Sequence, residues 1–305
     1  MVWIARETCG GLVEVLDRIR SKLFVYSRLI RFDKPIGFFL LLWPTLWALW
    51  MSSGGNPDTH ILWVYVVGTF LMRSAGCALN DYADRNFDPH VKRTATRPLA
   101  AGEIAPWEAI VLAGILSFVA FGLVLSLNFL TIKLSFLALF FAFTYPYVKR
   151  FFHMPQAYLG IAFGFGIPMA WASTSNNVSV VALLLMLANF FWVIAYDTQY
   201  AMVDRDDDVN ISIKTSAILF GKYDILFIII FQIAFLLTLV LIGMMAGFGV
   251  PYFVGIFLAG LAIGSQYPMI KFRSRGGCLR AFRRNSLVGS IVFFGIFADA
   301  IFIIN

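Results

Sequence analysis

The sequence predicts an all-α, polytopic membrane protein of nine transmembrane helices with helical cytoplasmic loops. Three observations predict it. The 305 residues are 60% hydrophobic and only 13% charged, with a mean hydropathy of +0.81, whereas a soluble domain carries about 25% charged residues. Nine apolar stretches reach or approach the roughly 20 residues a helix needs to cross a bilayer. Of the 24 Lys and Arg residues, 23 group with the N-terminal segment and with alternate connections. The runs are continuously apolar, without the period-2 alternation of a membrane β-barrel, so helices are expected.

Residues 1–34 are basic and mildly amphipathic, with no apolar run ending at a small-residue cleavage site. Leu12, Val15, Leu16 and Ile19 would share one face of a helix lying on the membrane surface; a partly ordered lead-in fits the same residues. The membrane domain, 35–305, opens with the stretch 36–53, closed by the breaker Ser52-Ser53-Gly54-Gly55-Asn56-Pro57. The stretch 61–79 follows, then the pair 107–127 and 129–148. The fifth, 156–174, ends in Ser173-Thr174-Ser175-Asn176-Asn177, and the sixth is 178–197. The seventh and eighth, 225–246 and 250–270, are split by Gly247-Phe248-Gly249, and 286–304 is the ninth. Cys9, Cys77 and Cys278 are scattered and imply neither disulfides nor a metal site.

The charges set the orientation. The N-terminal segment holds seven Lys and Arg residues, and the connections after the second, fourth, sixth and eighth stretches hold the rest except Lys133. The positive-inside rule therefore expects the N-terminus and long loops in the cytoplasm and the C-terminus outside. The net charge of +7 follows from this topology and an anionic substrate, without a nucleic-acid partner.

Against this background two acidic clusters stand out. Asn80-Asp81-x-x-Asp84-x-x-x-Asp88 follows the second stretch; Asp197, Asp204, Asp206, Asp207 and Asp208 follow the sixth. Together they hold eight of the seventeen acidic residues. Ionisable groups beside membrane helices are costly and point to function. With Asn80 at 0° on a helical wheel, Asp84, Asp88 and Asp81 fall at about 40°, 80° and 100°. With Asp204 at 0°, Asp197 and Asp208 fall at about −20° and +20°, while Asp206 and Asp207 point elsewhere. Each segment thus presents a one-sided row of carboxylates. Like charges so placed need a counter-ion, and Mg²⁺ suits carboxylate oxygens and phosphate together. Asp206 and Asp207 read equally well as a solvated acidic loop.

The loop beside the first cluster carries Lys92, Arg93 and Arg97. Cations next to acids make sense when a polyanion bridges them through metal, the basic groups binding phosphate oxygens; for Lys92 alone the positive-inside rule is explanation enough. Arg73, deeper on the same face as Asn80, and Tyr145 with Lys149 are candidates to hold an anionic or phenolic co-substrate. Lys149 and Tyr145 would also serve as interfacial anchors.

From about Arg28 onward the chain resembles the intramembrane aromatic prenyltransferases of the UbiA superfamily. The segments that carry the likeness are Arg31 to Gly37, Leu42 to Trp47, Arg73 to Gly102, Tyr145 to Lys149 and Tyr196 to Asp208. The runs Leu42-Trp43-Pro44-Thr45 and Asp197-Thr198-Gln199-Tyr200-Ala201-Met202-Val203-Asp204 look specific to the branch acting on 4-hydroxybenzoate. The resemblance implies nine helices around a central cavity, the two Asp-rich motifs facing each other over a diphosphate, and a lateral opening for the isoprenoid tail. It implies Mg²⁺-dependent transfer of a polyprenyl group from polyprenyl diphosphate to 4-hydroxybenzoate, ortho to its hydroxyl, at the inner membrane of a bacterium. Asn80, Asp81, Asp84, Asp88, Asp197, Asp204 and Asp208 would hold metal, with Asp84, Asp197 and Asp204 catalytic. Arg73, Lys92, Arg93, Arg97, Tyr145 and Lys149 would bind substrate. Many relatives carry Asp-x-x-x-Asp as the second motif; here Asp197 and Asp204, which share a face, are the favoured pair. A different ring acceptor is the nearest alternative. A transporter would need polar residues towards both sides, and here they lie on one.

Overall fold

The computed structural model describes residues 2–148, 150–211 and 213–304. Among them thirteen α-helices form: α1 (Val2–Leu29), α2 (Ile36–Ser52), α3 (Thr59–Asp84), α4 (Pro106–Val124), α5 (Phe129–Val148), α6 (Pro155–Gly164), α7 (Gly166–Ser175), α8 (Val180–Asn210), α9 (Ser216–Phe220), α10 (Asp224–Ala246), α11 (Val250–Gly264), α12 (Tyr267–Ile270) and α13 (Arg275–Ile304). No strand occurs among the described residues. Seven helices or continuous helical stretches are long and apolar enough to cross a membrane. They account for seven of the nine expected spans. The other two are α2, an apolar helix of 17 residues, and the pair α6–α7, which meet at Phe165.

Local chemistry sets these boundaries. Asp58 caps α3 by accepting from the amides of His60 at 2.7 Å and Ile61 at 3.2 Å. Ser179 caps α8 through the Ala182 amide at 3.2 Å. Asn176 and Gly247, both left-handed, end α7 and α10. The α6–α7 break falls between Gly164 and Gly166. A Cβ built on Gly166 would overlap the Thr45 hydroxyl of α2, so the chain passes that helix only as glycine.

In lipid, helices associate through close packing and interhelical hydrogen bonds rather than through burial from water. The centre of the bundle follows that rule. Trp192 of α8 stacks on Phe235 of α10 with ring centroids 5.6 Å apart, and Trp47 of α2 packs on Trp192 at 5.3 Å. The Trp47 indole N–H donates to the Gly289 carbonyl at 3.0 Å, and that of Trp192 to Asn285 Oδ1 at 3.0 Å. α11 and α13 touch at Gly255 and Gly295, where an added Cβ would sit 2.7 Å from the facing Cα.

Three polar-end features position the site. α3 continues to Asp84 and α8 to Asn210, well past the apolar runs, so both acidic clusters are carried on helix. α1 is tied down at its C-terminal half: Lys22 Nζ donates to Glu108 Oε2 at 2.8 Å, and Arg28 donates to Glu103 at 2.7 Å and to the Thr96 carbonyl at 2.7 Å. Asp224, fully buried at the start of α10, accepts from Arg205 of α8 at 3.0 Å and from Arg273 before α13 at 2.7 Å, clasping three helix ends together.

Candidate active site

A cavity of about 780 Å³ opens between α2, α3, α5, α6 and α8 and reaches the polar end. Arg73, Asn80, Asp84, Asp88, Arg93, Arg97, Tyr145, Asp197, Asp204 and Asp208 all line it. The two carboxylate rows therefore share one wall space. α3 supplies Arg73, Asn80 and Asp84; Asp88 sits in the single 3-10 turn that follows. α8 supplies Asp197, Asp204 and Asp208, all helical, so the one-sided spacing on the wheel holds through Asp208.

Arginines pair with carboxylates of each row. Arg93 forks onto Asp204, its Nε 2.9 and 3.1 Å from the two carboxylate oxygens, and its guanidinium lies 4.5 Å from the centre of the Tyr200 ring. Arg97 Nη1 reaches Asp88 at 2.8 Å and Asp81 at 3.1 Å. Arg31 donates to the same Asp81 oxygen at 2.7 Å. Asn80 Nδ2 donates to Asp84 Oδ2 at 3.2 Å. Burial pushes the Asp88 carboxyl above its ordinary pKa, and the neighbouring Asp84 and Asp81 charges add to this, although Arg97 pulls the other way.

Some expected residues lie elsewhere. Asp81 is buried behind the cavity wall, held by Arg31 and Arg97. The Lys92 side chain is exposed, and its backbone amide donates to Asp207 at 3.3 Å. Asp207 is paired with Arg275 of α13 at 2.8 and 2.9 Å, and the Asp206 side chain is 84% exposed. Lys149 lies outside the described residues. Arg31, Tyr196 and Tyr200 line the cavity although spacing assigned them nothing. Arg31 stands 50 residues from Asp81, in the turn between α1 and α2, with a left-handed φ of 57°.

Among the described residues no three His, Cys, Asp or Glu side chains converge closely enough to hold a metal by themselves. Asp88 and Asp204 are instead engaged by arginines, Asp88 by Arg97 at 2.8 Å and Asp204 by the Arg93 fork. The donor chemistry still suits Mg²⁺, which takes one or two carboxylates and completes its shell with water and phosphate oxygens. Hard oxygens of Asn80 and Asp84 on one helix and of Asp197, Asp204 and Asp208 on another face one space.

Gly37 fixes one more detail. A Cβ at this position of α2 would overlap the Arg73 guanidinium. The absence of a side chain there is what lets Arg73 lie across α2 into the cavity.

Comparison with known proteins gives the family and the fold. Residues 41–291 match the UbiA prenyltransferase family. The chain is 57% identical to a 4-hydroxybenzoate octaprenyltransferase of Cupriavidus necator over 275 residues, 90% of this chain and 96% of that one. It is 55% identical to that of Nitrosospira multiformis, covering 92% and 97%. Among solved structures, a UbiA homolog from Aeropyrum pernix superposes with a TM-score of 0.75 at 27% identity, covering 86% of this chain and 97% of that one. A homolog from Archaeoglobus fulgidus bound to GPP and Mg²⁺ shares the fold at 15% identity and a TM-score of 0.67, covering 90% and 99%. With its family match spanning most of its length and relatives above half identity, this chain belongs to the UbiA prenyltransferase family.

Proposed function

We propose that the protein transfers a polyprenyl group from polyprenyl diphosphate to the ring of 4-hydroxybenzoate, ortho to the hydroxyl, as the step of ubiquinone biosynthesis that its relatives' names indicate. One observation carries the reading beyond those names: carboxylates of α3, α8 and the turn after α3 share a single cavity with Arg93 and Arg97. Mg²⁺ would be held by Asn80, Asp84 and Asp88 on one side and Asp197, Asp204 and Asp208 on the other. When bound, it neutralises the diphosphate and so eases loss of the leaving group.

The chain's own residues do the rest. Arg93 and Arg97, with Arg31 beside them, place fixed positive charge where the diphosphate gathers negative charge. Arg73 reaches the cavity below this level and binds the carboxylate of 4-hydroxybenzoate, turning the phenolic edge of the ring towards the allylic carbon. The allylic C–O bond breaks with its electron pair going to diphosphate. The ring carbon forms the new C–C bond and loses its proton, which Asp197 accepts. Walls such as Leu40, Leu159 and Phe163 keep water from the allylic cation. The protein sits in a bacterial inner membrane with this site facing the cytoplasm and the C-terminus outside.

The test is purified protein in detergent with 4-hydroxybenzoate, geranyl diphosphate and Mg²⁺. A C-prenylated product that disappears with EDTA and returns with added Mg²⁺ is expected. Absence of product, or turnover indifferent to EDTA, overturns the reading.

A further inference from the structure

The basic loop 91–97 is held from two sides. Towards α3, Thr94 Oγ1 donates to the Asp88 carbonyl at 2.9 Å and Arg97 Nη1 to the Asp88 carboxylate at 2.8 Å. Arg28 of α1 adds a bond to the Thr96 carbonyl. Towards α8, Arg93 forks onto Asp204, and the Lys92 amide donates to Asp207 Oδ2 at 3.3 Å.

Asp207 is not a solvated acid. It is buried, and Arg275 at the start of α13 donates to both of its oxygens, Nη1 to Oδ2 at 2.8 Å and Nη2 to Oδ1 at 2.9 Å. Asp204 and Asp208 line the cavity; Asp207, between them in sequence, engages α13 and the loop instead. A chain of contacts therefore runs from Arg275 through Asp207 to the backbone beside Arg93, and Arg93 lines the cavity.

That backbone needs an anchor of its own. A carboxylate such as Asp204 that turns to metal gives up its arginine fork, and a long side chain so released loses rotamer freedom when a ligand orders it again. A backbone fixed one residue away limits that loss and keeps the positive charge preorganised.

We propose that Asp207 is a positioning residue: clamped by Arg275, it fixes the loop at Lys92 and so aims Arg93 at the diphosphate. The inference rests on the prenyl-transfer reading above and adds what holds the loop in place.

Full-length protein in detergent with Mg²⁺ is titrated calorimetrically with geranyl S-thiolodiphosphate, a non-reacting analogue, and assayed in parallel with geranyl diphosphate and 4-hydroxybenzoate. Asp207→Ala is expected to raise the Kd for the analogue about tenfold, the scale of one hydrogen bond to a charged group, and to leave the KM for 4-hydroxybenzoate within about twofold. In an Arg93→Ala background the same substitution should move that Kd less than about twofold, because effects routed through one residue do not add. Should Asp207→Ala not elute as wild type does on size exclusion, Arg275→Ala, which keeps the carboxylate and removes its clamp, must show the same selective rise and the same loss of effect without Arg93. A tenfold effect in both backgrounds, an unchanged Kd, or equal losses for both substrates overturns the proposal. Wild type that binds the analogue yet makes no prenylated 4-hydroxybenzoate sinks the prenyl-transfer reading alone, since the Kd series still decides the part Asp207 plays.

Discussion

Arg93 and Asp204 show how single residues hold this site in balance. Arg93 is partly exposed and Asp204 largely buried, so removing Arg93 takes away the charged partner of that carboxylate, at a cost of about 1–3 kcal/mol. Arg93→Ala should therefore lower both thermal stability and turnover, and Arg93→Lys should restore little, since an ammonium cannot reproduce the fork onto Asp204. Gly37 offers a cleaner separation. Gly37→Ala pushes on the Arg73 guanidinium and should raise the KM for 4-hydroxybenzoate by about tenfold, the worth of roughly one well-placed contact, with the KM for the prenyl diphosphate little changed. Asp88 makes a pH prediction. Its pKa is raised in the folded protein, chiefly by burial, so between its unfolded and folded values the folded state holds a proton that the unfolded chain has released. Stability then falls as pH rises through that window. Melting curves in EDTA should show this decline in wild type and a smaller one in Asp88→Asn. Arg31 was not legible from spacing: it reaches Asp81 from another element through a left-handed turn, and no periodicity encodes that.

At the scale of the element, α8 was largely readable and α6–α7 was not. The apolar run and the one-sided acids both belong to one helix that continues to Asn210, and a wheel captures such a helix. At the Phe165 break Gly166 lies so close to Thr45 that no side chain would fit, an approach between distant stretches that leaves no mark in either one. Gly166→Ala should destabilise the protein by about 1–3 kcal/mol, as overpacking does, measurable as a lower melting temperature. What fixes the rotation of α8 was equally silent in the sequence. Gln199 projects about 140° away from Asp204 on the wheel. There it donates to Gln266 at 2.8 Å and accepts from Asn285 at 3.0 Å, while Gln232 donates to Gln266 at 3.0 Å. All four side chains are buried. This network ties the back of α8 to α10, α13 and the end of α11, and so turns its carboxylates to the cavity. Gln266→Leu would strand the amides of Gln199 and Gln232, each at about 1–3 kcal/mol. It should lower the melting temperature and raise the Mg²⁺ concentration needed for half-maximal turnover, leaving the KM for 4-hydroxybenzoate near wild type.

For the whole molecule, the class of fold and the end that carries the chemistry follow from bulk properties that any sequence displays: length of apolar runs, and where charges are tolerated. The number of crossings is subtler, because α2 is short and α6–α7 is broken, and neither meets a length criterion alone. Both nevertheless pack into the bundle, α2 through Trp47 and α7 through Ile167, each fully buried. If each crosses, as the Lys and Arg distribution requires, the crossings are odd in number and the connection between α7 and α8 lies opposite the acidic clusters. Cysteine labelling decides it. Cys77 and Cys278 are buried, so a Cys9→Ser background leaves few reactive thiols. In that background Asn177→Cys, exposed between α7 and α8, should react with a membrane-impermeant maleimide in intact spheroplasts. Asn86→Cys, exposed just after α3, should react only after permeabilisation. Retained prenyl transfer in both variants would establish that the labelled protein is native. The reverse pattern would place the acidic clusters on the outer face, as it would if α2 did not cross, and equal labelling of both in intact cells would mean that α6–α7 does not cross.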